Sequence, residues 1–278
     1  TGTDVEAPAL ALDLGITAYE ARLLLAAGTP AIALSTADEG RAAQLLGKLR
    51  ARGHGAVMCD AADVVSSASM VAMRRARIEE GSLHLDGPSG SPPGPALPFE
   101  DVVALIAAVH RRRTETSTST TDRHFSAARA VLSGGVVLTK TVTMDARSVA
   151  DDRERVLYLF RRSGATPWLL REHGTGWAGL SIPLAHSSSE NFLRAIAALR
   201  ERARGALYDE RLLTRKATSE QVALSGANRA GGPAASGASQ RSTVRTSSDG
   251  GVDLLAHLIA LWARARNTPP RDASHAPR

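Results

Sequence analysis

A single cysteine, Cys59, excludes an intrachain disulfide and any multi-cysteine metal site. Aromatic residues make up only 4% of the chain, so its core must be built from Leu, Val, Ile and Ala rather than from rings. Lysine is almost missing. Lys48, Lys140 and Lys216 stand against 31 arginines, a bias that, with abundant alanine, reflects a GC-rich coding sequence rather than a function. No apolar run approaches the roughly 20 residues that span a bilayer, and no basic-then-apolar leader opens the chain. A cytoplasmic protein in a reducing compartment is expected. The nucleophile elbow, the Walker loop, the H-E-x-x-H motif and the dinucleotide fingerprint are all missing, so neither catalysis nor a cofactor is expected.

With 278 residues, 43% of them hydrophobic, the chain can form one large domain or two small ones. Its net charge of +6 is uneven: −3 over residues 1–66, +5 over 67–215 and +4 over 216–278. Such a surface can attract nucleic acid, anionic lipid or an acidic protein.

Residues 1–7 read as a loose terminus and Ala9–Asp13 as a short helix. Thr17-Ala18-Tyr19-Glu20 is a capping box that opens a helix towards Ala27, with Gly28 and Pro30 ending it. Ala31–Leu34 reads as a short buried strand. Thr36-Ala37-Asp38-Glu39 is a second capping box, whose helix aligns Ala42, Leu45, Leu46 and Leu49 until Gly53. Ala56–Cys59 reads as a second strand. This αα-β-α-β order, with Gly15, Glu20, Ala21, Pro30, Asp38, Glu39, Ala42, Leu49 and Gly53 in step, resembles the C-terminal domain of the bacterial ribosomal stalk protein. The resemblance covers about 45 residues within a domain of 8–65 and implies a fold. In that family the helical face recruits translation factors through lysines and a glycine-rich turn. Here the equivalent helix offers Arg22, and AIALS replaces the valine-lysine pattern. The stretch Leu10–Leu25 also fits a helix-turn-helix loosely, although YEARLLLAAG offers base edges only Arg22.

Residues 61–69 read as a linker and Met70–Asp86 as a hairpin turning near Glu80-Gly81. GPSGSPPGPA, 87–96, reads as an exposed loop. Phe99–Arg113 fits either a helix or a strand. The threonine alternation of the following RTETSTSTT favours a strand. Val136–Met144 reads as a half-buried strand and Asp145–Arg155 as a charged loop. Arg155–Glu172, RVLYLFRRSGATPWLLRE, then forms a hairpin turning at Ser163-Gly164-Ala165. His173–Ile182 can add a short edge. Ser187 and Glu190 cap a closing helix with Phe192, Ile196, Leu199 and Ala203 on one face. Val156, Tyr158, Phe160, Trp168 and Leu170 are expected to be the wall that it packs on. Strands followed by one amphipathic helix over 68–205 resemble the pleckstrin-homology-like fold, an antiparallel β-barrel or sandwich closed by a C-terminal helix. The domain is expected to span 68–213.

Residues 214–250 carry few large apolar groups and read as a disordered linker. An amphipathic helix follows at 251–267, then a disordered tail at 268–278. The helix presents Leu254, Leu258, Leu261 and Trp262 to its own domain or to a partner.

Arg111, Arg112, Arg113 and Arg123 bracket the threonine-rich segment, and Arg161 and Arg162 sit at the hairpin turn. Gathered at one barrel mouth they would bind an anion such as a lipid phosphate. His54, Cys59, Asp60 and Asp63 form the nearest approach to a reactive cluster, with Cys59 read as a small buried hydrophobe. Trp168 and Trp177 read as core rather than as a stacking platform. The sequence therefore predicts an α+β, non-enzymatic adaptor or regulatory module with a protein partner. Anionic lipid or nucleic acid bound through the arginine turns is the alternative.

Overall fold

The computed structural model describes residues 3–25, 30–86, 94–125, 139–214, 221–230 and 238–267, with side chains for all of these except residues 3, 120–125, 139–143, 221–230 and 238–241. The fold is mixed α+β. Its described helices are α1 (Thr3–Leu14), α2 (Ala18–Leu25), α3 (Glu39–Ala51), α4 (Ser188–Arg202), α5 (Arg211–Thr214) and α6 (Asp249–Asn267). Its described strands are β1 (Val71–Ala72), β2 (Ala76–Glu79), β3 (Ser82–Leu85), β4 (Ala96–Pro98), β5 (Val102–Phe125), β6 (Thr139–Arg161), β7 (Trp168–Arg171), β8 (Leu207–Glu210), β9 (Gln221–Ala230) and β10 (Ala238–Ser247). The chain divides into two compact units. One comprises Thr1–His110, Glu154–Thr218 and Asp249–Arg278, the other Arg111–Arg153 and Ser219–Ser248.

In the first unit α1, α2 and α3 bury Ala7, Leu10, Leu14, Ala21 and Leu45 together. The helix α1 begins at Thr3 and takes in Pro8, where a loose terminus was expected. Pro8 lies in the second turn, where it has no N–H to donate to the carbonyl of Asp4. Buried Glu6 fixes the segment through Arg52 Nε at 2.7 Å, with His54 Nε2 at 3.0 Å. The capping box of Thr17 and Glu20 forms as expected: Thr17 N donates to Glu20 Oε2 at 2.8 Å, and Glu20 N donates to Thr17 Oγ1 at 3.2 Å. In the second box the cap moves from Thr36 to Asp38, whose Oδ1 accepts from Arg41 N at 3.0 Å. Neither Ala31–Leu34 nor Ala56–Cys59 joins a sheet. In the first of them Ala33 and Leu34 pack on the three-helix cluster, while Ile32 packs on the cluster that holds Leu255 and Ile259. The stop at Gly28 lies outside the described residues.

The sheet of the first unit runs β1-β7-β6-β5-β8. It is antiparallel at β6 and β7, where Val156 faces Arg171 and Leu159 faces Trp168, and this is the expected hairpin. Two edges are parallel instead: Val71 and Ala72 pair with Trp168 and Leu169, and Ala104–Ile106 pair with Leu207–Asp209. The expected hairpin at Met70–Asp86 is therefore divided. Its first residues form β1, and only β2 and β3 turn at Gly81, where φ is +82°. With β4 they make a separate three-stranded sheet. Trp177–Leu180 is a short 3-10 helix rather than an edge strand.

From Val156 to Phe160 strand β6 is buried on both faces, which corrects the single wall expected for the closing helix. Leu157, Leu159, Trp168 and Leu170 pack with Phe192, Ile196 and Leu199 of α4. Val156, Tyr158, Phe160 and Leu169 point the other way and pack with Leu255, Ala256 and Ile259 of α6. Side chains alternate along a strand, so a run apolar at every position serves two layers of helix. The same holds for β5, where Leu105 and Ala107 alternate with Ala104, Ile106 and Ala108.

The second unit is a four-stranded antiparallel sheet in the order β6-β5-β10-β9. Asp145–Arg155 is strand, not loop, and most of the expected linker 214–250 is β9 and β10. Arg112–Thr121 pair residue for residue with Ser247–Ala238. Composition suggested disorder because these strands have little apolar surface, whereas what orders their backbones is a ladder to a segment more than a hundred residues away.

Candidate functional site

Three groups of side chains in this fold could carry function: a buried polar cluster under α6, the arginines, and the open sheet of the second unit. The buried cluster centres on Asp253. Tyr158 donates its hydroxyl to Asp253 Oδ1 at 2.6 Å, and His110 Nε2 lies 2.6 Å from the same hydroxyl oxygen. Ser67 N donates to Asp253 Oδ2 at 2.8 Å. One turn later His257 Nδ1 lies 2.8 Å from the Asp253 carbonyl, and its Nε2 accepts from Val65 N at 3.2 Å. Burial and the nearby carboxylates of Asp253 and Asp249 hold the Tyr158 phenol well above its usual range. Burial also lowers the pKa of His257.

The row of His110, Tyr158 and Asp253 looks like a proton relay, yet the three are exposed by 1%, 0% and 2% and solvent reaches none of them. What it does instead is join β5, β6 and α6. Near the other end of α6, Arg264 Nη2 donates to the Arg161 carbonyl at 2.7 Å, so the helix is held at both ends. Among the described residues no group of His, Cys, Asp and Glu is arranged to hold a metal. Sequence reasoning missed this cluster because its members are 48 and 95 residues apart, and lone His, Tyr and Asp residues give no local signal.

The terminal helix therefore packs on its own chain. Its buried face is Val252, Leu255, Ala256, Ile259, Ala260 and Ala263. Of the residues expected to meet a partner, Leu254, Leu258 and Leu261 flank that face and are half-buried. Trp262, also half-buried, lies against Gly55, where a Cβ would come within 2.6 Å of its indole nitrogen.

The six arginines divide. Arg161 is held by Asp101, Nε to Oδ2 at 2.9 Å, and Arg162 is exposed beside it at the turn. Both belong to the first unit. Arg111, Arg112 and Arg113 open the second unit on β5, where Arg111 N donates to Ser248 Oγ at 3.0 Å. The side chain of Arg123 lies outside the described residues. Neither unit gathers a cradle from these side chains, because successive residues of a strand point to opposite faces and the turn arginine is already paired.

The remaining candidates are structural. Cys59 is half-buried, and burial together with Asp63 and Asp60 raises its thiol pKa, the reverse of what a nucleophile needs. Trp168 is fully buried, and Trp177 meets the edge of Phe192 at 6.5 Å between ring centroids. Arg22 pairs with Asp4 at 3.5 Å on a helix face that also exposes Tyr19 and Leu23.

The sheet of the second unit differs from the sheets of the first unit, among the described residues, in how little of it is buried. Among its described side chains only Ser248 is buried, and every residue from Met144 to Arg153 is exposed. Hydroxyl and charged groups line it: Thr114, Thr116, Ser117 and Thr118 on β5, and Ser242, Thr243, Arg245 and Thr246 on β10. Among the described residues no strand covers the outer edge of β6 before β7 joins it at Val156. No described helix is long and apolar enough to cross a membrane. Comparison with family models, with curated proteins and with solved structures finds no match to this chain.

Proposed function

We propose that this chain is a non-catalytic binding module, an adaptor or regulatory protein that works through protein contacts, and that the four-stranded sheet of its second unit is the contact surface. The observation that carries this reading is the exposure of that sheet. Ordering a strand residue costs about 1–2 kcal/mol of backbone entropy, and a sheet that buries no face recovers little of it. A sheet built at that cost, with a free edge and donor and acceptor side chains outward, is suited to meet another protein by edge pairing or side-chain hydrogen bonds.

Affinity capture with the full chain tests it. Proteins retained by the unaltered chain should be lost on substituting Thr116→Lys, Thr118→Lys and Thr243→Lys together, and kept on substituting Leu254→Ala and Leu258→Ala. Capture indifferent to the sheet would contradict the reading. Binding to RNA or anionic liposomes that falls steeply with salt, without a protein partner, would favour an anion-binding role through the arginines instead.

A further inference from the structure

The exposed edge of β6 has a charge pattern that is its own complement. From Asp145 to Arg153 the strand reads D-A-R-S-V-A-D-D-R, and alternate residues share a face. The face that carries Arg147 also carries Glu115 of the neighbouring β5, with which Arg147 is paired, and Asp151 reaches Arg153 on that same strand at 3.0 Å. Along it the order is Asp145, Arg147, Val149, Asp151, Arg153. Read backwards, every charge changes sign about Val149, which is 48% exposed.

We infer that two copies of this chain pair antiparallel through this edge, with Val149 on the two-fold axis. In an antiparallel ladder directly opposed residues lie on the same face with Cα atoms about 4.5–5.5 Å apart. A two-fold at Val149 sets Asp145 opposite Arg153 of the second copy, Arg147 opposite Asp151, and Val149 opposite itself. The symmetry repeats each ion pair, so four form. On the other face the opposed pairs are Ala146 with Asp152 and Ser148 with Ala150, small enough to meet without a clash. A contact between identical surfaces must be self-complementary, and this nine-residue segment meets that condition.

The rest of the edge agrees. An exposed strand that avoids pairing is commonly broken by proline, bulged or loaded with charge, lysine above all. Between Met144 and Arg153 there is no proline, glycine or lysine, strand geometry is continuous, and the charges are mixed. The ladder has a natural limit. From Val156 onward the edge is taken by β7, so the segment before Met144 in each copy leaves the shared ladder there. The inference rests on the second unit being a contact surface and names a second copy as one of the things it contacts.

Charge exchange tests the pairing on the full chain by sedimentation velocity. The unaltered chain should sediment with twice the mass of one chain, falling to one on dilution and more readily in high salt. The variant with Asp145→Arg and Asp151→Arg opposes like charges at all four pairs, as does the variant with Arg147→Asp and Arg153→Asp, and each alone should be monomeric. Mixed, the two are complementary at all four pairs, so the dimer should return as a heterodimer. Circular dichroism of each variant separates loss of pairing from loss of folding. If a variant does not fold, Val149→Cys in a Cys59→Ser background replaces it. A residue on a two-fold axis meets its own copy, so this chain should form a disulfide dimer on mild oxidation, whereas Ser148→Cys should not. A chain that stays monomeric, exchanged variants that dimerise alone, or a mixture that fails to dimerise overturns the inference. A monomer that still loses a captured protein when its sheet is altered overturns the inference and leaves the proposed function standing.

Discussion

Tyr158, at the centre of the first unit's sheet, donates its hydroxyl to Asp253 of the last described helix across 2.6 Å, and neither side chain is exposed to solvent by more than 2%. The bond ties two layers of the fold together through a carboxylate that also accepts from Ser67 N. Asp253→Ala leaves the buried Ser67 N–H without its acceptor and takes the carboxylate from the Tyr158 hydroxyl, and should destabilise the chain by about 3 kcal/mol, and Tyr158→Phe by about 1–3 kcal/mol. In urea denaturation the double variant should lose less than the sum of the two, because both remove the same bond. Strict additivity would mean that the bond contributes nothing.

Stability should fall in acid through Glu172. Its bidentate pairing with Arg155, opposed by burial and aided by Ser189, lowers its pKa to about 2 from 4.5. A carboxylate depressed in the folded chain stabilises it above the unfolded pKa and loses that contribution as pH drops through the folded one. The window is therefore pH 4.5 to 2, and the contribution lost is on the order of 2–3 kcal/mol. Glu172→Gln should be less stable at neutral pH and flatter across that window. A variant that falls as steeply as the unaltered chain would place the acid sensitivity elsewhere.

Gly55 sits where a side chain would strike Trp262. Overpacking of that kind costs about 1–3 kcal/mol, so Gly55→Ala should lower stability by that amount. Trp262→Leu in the same chain should restore most of it. If Gly55→Ala is neutral by itself, the indole moves aside freely and the contact is loose.

The two faces of β6 should be separable by mutation. Phe160→Ala should cost about 3–5 kcal/mol, since Phe160 is 1% exposed. Its loss should couple to His257→Ala, whose ring meets it edge-on at 4.9 Å, and not to Phe192→Ala on the opposite layer. Coupling to Phe192 would restore a single wall facing α4.

Much of the local structure was legible in the sequence. The capping boxes at Thr17 and Ser187, the turn at Gly81, the hairpin at Ser163-Gly164, the strand reading of the threonine run and the amphipathic helix after residue 250 all announce themselves within a few residues, because caps, turns and periodicity are local chemistry. Partners that lie far along the chain do not. Nothing near Ala238–Ser247 says that it pairs with Arg112–Thr121, so a polar alternation of serine, threonine and arginine reads as a tether. Likewise Val156–Phe160, apolar at every position, reads as one wall until the second helix layer is known. Periodicity marks the terminal helix but not its buried face: the leucines at 254, 258 and 261 stand out, while alanines at 256, 260 and 263 make the close contact. Small residues carry little signal in sequence and allow close approach in a packed layer.

The terminal helix is a fixed part of the fold, whereas the sheet of the second unit is open to solvent. Hydrogen–deuterium exchange on the dilute full chain compares the two directly. Amides of Val252–Ala263 should exchange at least about a thousandfold more slowly than the outward amides of Asp145–Arg153, a difference near 4 kcal/mol in local stability. Exchange in Val252–Ala263 as fast as in Asp145–Arg153, with β7 still protected, would show that the helix is not held by its own chain.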